Sequence, residues 1–312
     1  MAIHPVRWNE PFPPPCRAGA LTIGNFDGVH LGHQALLQEL HRQAQAVGGP
    51  AVAVTFDPSP SQLLRPEAKP AALTVLAERA ELMHRHGADH VVVLQTTLEV
   101  LRHTAREFFS EVIVGAAAAK IVVPGFNFAF GRGREGTVAV LEALCNEAGL
   151  NCHPAPPFLV DGQPVSSSRI RSELLAGRVA VASRLLGRPY RVSGVVVAGQ
   201  RRGQRLGFPT ANLDAVAVLV PGDGVYAVRV PYAGRVWAGA ANVGPNPTFG
   251  EHVRKIEVHL VDFTGDLYGV SLTVEFLDRL RDTRRFDGVD ALTAQLRADI
   301  AAAKSVAENG GP

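Results

Sequence analysis

Apolar residues recur along this chain in two rhythms, and the change from one to the other divides it. In the first part, short apolar runs alternate with segments whose apolar positions lie three and four apart. The runs Ala20–Ile23, Ala51–Phe56, His90–Leu94 and Lys120–Val123 have the length of buried strands. Between them, Leu36, Leu37, Leu40 and Val47 mark one amphipathic helix, and Leu76, Ala80 and Met83 place another over Thr74–His86. Ala105–Val112 and Thr137–Ala148 predict two more, the latter with Val140, Leu141, Leu144 and Ala148 in register. Strands separated by helices imply right-handed crossovers and a parallel sheet. From Tyr190 the period changes to two. Tyr190–Ala198, Gly224–Val230, Arg235–Asn242, Lys255–Phe263 and Ser271–Leu277 are short strands between Gly and Pro, which predicts an antiparallel sheet or small barrel. Leu292, Leu296, Ile300 and Ala303 predict a terminal helix. The fold class is α/β followed by β: a Rossmann-like, doubly wound domain over 1–186, then a small antiparallel β-barrel with a C-terminal helix over 187–312, the boundary lying in LLGRPY.

Composition narrows the partners. At 312 residues two domains are the default, and 46% hydrophobic residues supply two cores. A net charge of +2 is too small to argue for nucleic acid or an anionic membrane. Cys16, Cys145 and Cys152 form no CxxC pair, which excludes a disulfide framework or zinc knuckle as the organising device. The first residues, MAIHPVRWNEPFPPP, contain no apolar signal region, and no later run approaches transmembrane length. The expected setting is a reducing cytoplasm, with small-molecule substrates and an oligomeric state that the sequence leaves open.

One stretch carries the chemistry of the first domain. Gly24–His33, GNFDGVHLGH, joins a predicted strand to a predicted helix. Glycines let backbone amides approach an anion, and a helix N-terminus adds oriented N–H groups. His30 and His33, three apart, project from one side of the first turn. The expectation is a phosphate site. Histidines at this spacing also suit zinc, but no third ligand lies nearby and the glutamate of HExxH is absent. Two later segments join the picture. VPGFNFAFGRGREG, Val123–Gly136, ends in a GxGxxG match, yet seven residues separate it from its strand, so it reads as a flexible loop. Within it Asn127 is equally a turn former or a nucleotide contact. VSSSRIR, Val165–Arg171, opens a helix over Ile170–Leu175: its serines are cap residues, and Arg169 and Arg171 carry guanidinium forks suited to phosphate.

In the second domain, Gln204–Leu213, QRLGFPTANL, reads as a loop. Gly207 permits unusual backbone angles, and Thr210 and Asn212 offer neutral oxygens that suit Mg²⁺ held mostly by ATP phosphates. Arg201, Arg202 and Arg205 can neutralise phosphate charge. On Lys255–Val261, the residues Ile256, Val258 and Leu260 share the core face, so Glu257 points away with Lys255 and His259. A carboxylate on a rigid strand can take a proton from a hydroxyl. Periodicity does not separate Glu257 from Glu275, which the same argument reads as solvent-facing.

GNFDGVHLGH, then DPSP, NFAFG and SSSRIR, resembles the HxGH nucleotidyltransferase superfamily. More narrowly it resembles the adenylyltransferase module of the prokaryotic bifunctional riboflavin kinase/FMN adenylyltransferase (FAD synthetase) family. GFPTANL, GVYAVRV, NVGPNPTFG, IEVHLVDF, DLYG and VEFLDRLRDTRRF are similar, in order and spacing, to that family's riboflavin kinase module. The resemblance implies ATP and Mg²⁺ as co-substrate and cofactor, with riboflavin and FMN as substrates. It implies that His30, His33 and Arg171 act on the adenylyl transfer, with Gly24, Asn25, Phe26, Asn127, Ser167 and Ser168 at the nucleotide. In the kinase module it implies Glu257 as base, Thr210 and Asn212 as Mg²⁺/ATP ligands, Gly207 and Arg205 at the nucleotide, and Asn242–Gly250 with Arg281–Phe286 beside the flavin. Ser168 replaces the family's usual threonine, and DPSP, Asp57–Pro60, replaces a common DPHP. The rivals are another HxGH enzyme acting on a pyridine nucleotide or pantetheine substrate, which the GFPTAN module argues against, and a non-catalytic flavin-binding protein.

Overall fold

The computed structural model describes residues 3–64, 67, 70–200, 202–245 and 253–309, and divides into two compact units, Met1–Ser166 and Ser167–Pro312. In the first, strands β1 (Ile3–Val6), β2 (Ala20–Ile23), β3 (Ala51–Asp57), β4 (His90–Gln95), β5 (Ile121–Val122) and β6 (Asn151–Cys152) form one sheet in the order β1-β4-β3-β2-β5-β6. Each pairing in it is parallel. Helices α1 (Leu31–Val47), α2 (Pro60–Leu64), α3 (Leu76–Arg85), α4 (Ala105–Phe108) and α5 (Val138–Glu147) connect the strands. Alternate strand residues face opposite ways, so each face has its own core. Ala20, Ala53, Val91 and Val93 pack with Leu37 and Leu40 of α1 and Met83 of α3. Leu21, Ile23, Val52, Val54 and Leu94 pack with Phe108, Ile113, Leu141 and Leu144. A sheet covered on both faces is what the uninterrupted apolar runs require.

Several features lay outside the expectations. β1 is an edge strand whose Pro5 sits opposite Val93; proline is tolerated at an edge because one side of the strand needs no ladder donor. β6 spans two residues, too few to give a period. The helix expected over Ala105–Val112 continues to Ala116 as a π-helix, Phe109–Ala116; it starts at a capping box between Thr104 and Glu107. A small hairpin, β7 (Leu159–Val160) and β8 (Gln163–Pro164), closes this unit.

The second unit opens with α6 (Ser167–Leu175) and α7 (Val179–Leu186), the latter packed on the barrel strands. The strands β9 (Tyr190–Val197), β10 (Ala211–Asp214), β11 (Gly224–Tyr232), β12 (Arg235–Gly244), β13 (Lys255–Leu260) and β14 (Ser271–Arg281) form a closed antiparallel barrel, ordered β10-β13-β12-β11-β14-β9. A short α8 (Arg202–Arg205) lies between β9 and β10. The terminal helix α9 (Val289–Glu308) packs on β11, β12 and β14. β10 corrects the loop expected over Gln204–Leu213: ANLD, poor in β-formers, is a strand because it closes the barrel between β9 and β13.

Candidate active sites

The first site is built where the parallel sheet reverses its winding. From β2 the order runs through β3 and β4 on one side and through β5 and β6 on the other. The crevice beyond the carboxyl ends of β2 and β5 is therefore the topological switch point, where open α/β sheets take their ligands. GNFDGVHLGH follows β2, and VPGFNFAFG follows β5.

The turn after β2 is strained and then clamped. Phe26, Gly28 and Val29 have φ of 48°, 82° and 37°, and a β-branched residue with positive φ costs about 1–3 kcal/mol. Phe26 and Val29 are both fully buried in the core under α1, which returns roughly 2–3 kcal/mol each and outweighs that cost. Asp27 supplies the clamp. Its carboxylate accepts from the Leu73 amide at 3.0 and 3.1 Å and from the Thr74 amide at 3.2 Å, with the Arg79 guanidinium at 3.6 Å. The Thr74 hydroxyl accepts in turn from the Gly28 amide at 3.1 Å. Composition gives no hint of this clamp, because Asp27 and Thr74 are far apart in sequence.

His30 is the N-cap of α1. Its Nδ1 accepts the His33 amide at 3.3 Å, so the ring is neutral, with its proton on Nε2. The His30 and His33 rings stack at 3.7 Å between centroids, and Phe26 lies 5.1 Å from His33. Gly32 leaves room for this: a Cβ there would stand 3.2 Å from the His30 ring. Burial, together with His30 and Arg79, holds the His33 pKa well below the usual imidazole range. Both rings are thus neutral hydrogen-bonding groups rather than cations. Gly24 and Asn25 are held by β3, the Gly24 amide bonding Val54 at 3.0 Å and the Thr55 hydroxyl bonding the Asn25 carbonyl at 3.2 Å.

The segment after β5 separates into two parts. Phe128 stacks on Phe130 at 5.3 Å and packs on the core, whereas Phe126 and Asn127 are exposed. The GRGREG tail is tied at both ends. Phe130 and Gly136 exchange backbone hydrogen bonds at 2.9 Å, and Glu135 accepts the Ala105 amide at 2.8 Å. At DPSP, Ser59 takes over a local task, its amide bonding Gln62 at 3.0 Å. Ser167, Ser168 and Arg171 occupy the first turns of α6.

The second site is a row across three barrel strands. Asn212 of β10 stands opposite Glu257 of β13, and Glu257 stands opposite Asn242 of β12. Ile256, Val258 and Leu260 are buried, so these three polar residues share the outer face. Directly opposed residues have Cβ atoms about 4.5–5.5 Å apart, which puts the Glu257 carboxylate among two amides. Thr210 lies two residues before Asn212 and is exposed on the same side. Gly199 and Gly203 form a cradle around this pair. A Cβ at 199 would stand 2.3 Å from the Asn212 amide nitrogen, and one at 203 would stand 2.3 Å from the Phe208 carbonyl and 3.5 Å from the Thr210 hydroxyl. His259 fastens the approach to β10, its Nδ1 donating to the Pro209 carbonyl at 2.8 Å. Neutral oxygens beside a carboxylate, in a cradle that only glycine leaves open, are a donor set that fits Mg²⁺.

Glu275 is corrected by the structure: it is buried, not solvent-facing. Arg191 donates to it at 2.6 and 3.0 Å, and Arg229 stands at 3.3 Å. Two guanidinium groups leave it no proton-accepting task. Asn242, expected as the last residue of a strand and the head of the loop beside the flavin, lies inside β12, which runs on to Gly244, and stands beside Glu257. Arg281 is anchored to Asp299 of α9 at 2.7 and 3.0 Å. Gly207 has φ of 84°, which glycine alone adopts readily. Arg201, the side chains of Arg202 and Arg205, and residues 246–252 lie outside the described residues.

A phosphate-type turn at the switch point of a parallel sheet, on one chain with a carboxylate–amide row on a barrel, fits a two-site nucleotide-dependent transferase. Comparison with known proteins agrees. Residues 14–169 match the family model described as FAD synthetase, and residues 186–307 match the one described as riboflavin kinase. A bifunctional riboflavin kinase/FMN adenylyltransferase from Pseudomonas fluorescens is 40% identical, over 94% of each chain. Its counterpart from Bacillus subtilis is 34% identical, over 89% of each. A solved chain described as a macrolide-efflux protein from Streptococcus pneumoniae has a TM-score of 0.87 at 34% identity, covering 97% of this chain and 99% of that one. That description stands apart from the two flavin activities, and among the described residues no helix is long and apolar enough to cross a membrane. The chain belongs to the bifunctional riboflavin kinase/FMN adenylyltransferase family.

Proposed function

We propose that the chain converts riboflavin to FMN on its barrel and FMN to FAD on its parallel-sheet domain, consuming ATP at each step, with 187–312 and 1–186 as the respective functional domains. The observation that carries this reading is the row Asn212–Glu257–Asn242 beside Thr210, on a chain that also holds the histidine-capped turn. Glu257 takes the proton of the terminal ribityl hydroxyl as that oxygen attacks the γ-phosphorus of ATP. Thr210 and Asn212 would hold Mg²⁺, which would supply neutralisation of the triphosphate charge. Gly207 and Arg205 border the same nucleotide, and Asn242 orients the Glu257 carboxylate.

In the second reaction the FMN phosphate attacks the α-phosphorus of another ATP and releases pyrophosphate. A phosphate monoester is already anionic near neutral pH, so this step needs no base. It needs donors aimed at the charge that accumulates. His30 and His33 supply them as neutral imidazoles, together with the N-terminal amides of α1. Arg171, Ser167 and Ser168 are assigned phosphate contacts, and Gly24, Asn25, Phe26 and Asn127 nucleotide or flavin contacts, on the family motifs. Free cysteines and small polar substrates suit a cytoplasmic enzyme.

Incubating the protein with riboflavin, ATP and MgCl₂, then separating flavins by chromatography, tests the reading. FMN should appear first and FAD second, both lost with a chelator. Absence of any new flavin would favour a binding protein, and adenylylation of a pyridine nucleotide instead would favour a different HxGH enzyme.

A further inference from the structure

A second cluster of chemistry lies away from both sites, at the amino-terminal edge of the parallel sheet. His4 is on the edge strand β1, His90 opens β4, and Cys16 ends the 3₁₀ turn Pro14–Cys16. One ligand atom from each lies within 4.8 Å of the others. The two rings meet edge to face at 5.4 Å. His4 Nε2 and His90 Nδ1 are buried with no hydrogen-bond partner among the described residues, and Cys16 is 1% exposed. Two buried imidazole nitrogens without partners among the described residues, on rings that gather with a buried thiol, are what a metal ion would satisfy.

We propose that His4, Cys16 and His90 form a structural site for a zinc-type divalent cation. Zn–N bonds of about 2.0–2.1 Å and a Zn–S bond of about 2.3 Å put tetrahedral ligands roughly 3.3–3.7 Å apart, so the cluster closes on the ion by about 1 Å. Two imidazoles and a thiolate are a borderline-soft set that suits zinc over magnesium or calcium. Burial, His90 and His84 hold the His4 pKa below its usual value, which leaves its lone pair available. Burial pushes the Cys16 thiol up to about 11; the ion displaces that proton, forming the Zn–S bond and releasing H⁺ to solvent. His84 is close enough to lower the His4 pKa but stands outside the three residues whose ligand atoms meet within 4.8 Å. Its Nδ1 donates to the Ala88 carbonyl at 2.8 Å and its Nε2 is buried without a partner, the orientation that metal-bound histidines adopt. The ion would tie the edge strand and the turn to β4 at the end of the strands opposite the adenylylation turn, so its role is stability and not turnover.

The test uses the full-length protein stripped of metal. Zinc titrated against a chromophoric chelator should bind at one equivalent. Cobalt in its place should give a thiolate-to-cobalt charge-transfer band, a readout on the wild-type chain that needs no variant to fold. Cys16→Ser and His90→Gln should each weaken zinc binding on the order of 100-fold, abolish or shift that band, and leave conversion of FMN to FAD unchanged. His153→Gln should leave zinc binding unaffected. Failure to bind one equivalent, a cobalt spectrum with no thiolate band, or binding undiminished by Cys16→Ser would overturn the proposal.

Discussion

The two candidate sites of this chain are made differently, and the difference matches the nucleophiles proposed for them. The sheet site is a turn, with Phe26 and Val29 at positive φ held down by buried side chains and by Asp27. It offers neutral donors and backbone amides, and the carboxylate of its own motif, Asp27, is taken up by Leu73, Thr74 and Arg79. The barrel site is a row of side chains fixed by strand register, with a carboxylate at its middle. A phosphate nucleophile needs stabilised charge, whereas a hydroxyl nucleophile needs its proton removed. Loops suit the first because amides must converge; a rigid ladder suits the second because one carboxylate must be aimed.

The comparison is broken most sharply at Glu257. Glu257→Ala should lower riboflavin phosphorylation about 10³-fold while leaving FMN adenylylation intact, read by flavin chromatography with each substrate supplied separately. His30→Ala combined with His33→Ala should do the reverse, cutting FAD formation from FMN about 10²–10³-fold. Gly199→Ala places a methyl group against the Asn212 amide and should reduce kinase kcat/KM roughly 10–100-fold by displacing that group, with no change in adenylylation. Equal loss of both activities in any of these would dissolve the distinction.

Much of this was legible in the sequence, because periodicity reports which faces are buried. β2 was placed residue for residue, and the outward side of Glu257 followed from Ile256, Val258 and Leu260. What was not legible depends on contacts between distant residues. The glutamates at 257 and 275 have equivalent patterns, and only the arginines from β9 and β11 show that one of them is neutralised. β10 carries Asn and Asp, so its propensity contradicts the strand that barrel closure imposes. The neutrality of the histidines rests on a cap bond and on burial, neither of which HxxH spacing reveals.

Smaller effects sharpen the same contrast through stability. Asp27→Asn weakens the clamp and should cost about 2 kcal/mol, with adenylylation falling alongside. Glu275→Gln should cost about 1–2 kcal/mol, reduced because Arg191 is partly exposed, while the kinase keeps its rate within a few-fold. Denaturant melts set beside the two assays separate these outcomes. The smallest effect is in pH. Because the folded-state pKa of His33 is depressed below 6.5, the unfolded chain binds more protons as acid is added. The contribution is therefore fully present above about pH 6.5 and is lost as pH falls towards the folded value. Stability measured between pH 7.5 and 5.5 should decline less in His33→Asn than in the wild type.

Mixing tests the central claim of two separate catalytic sites most directly. Glu257→Ala alone, given riboflavin, ATP and Mg²⁺, should make FMN only at its roughly 10³-fold reduced rate, and the His30/His33 double variant alone should accumulate FMN. The two together should make FAD from riboflavin. Restoration of FAD in the mixture is the predicted result; a mixture that stays without FAD while each variant is folded, or FMN formed by Glu257→Ala at the wild-type rate, would contradict it.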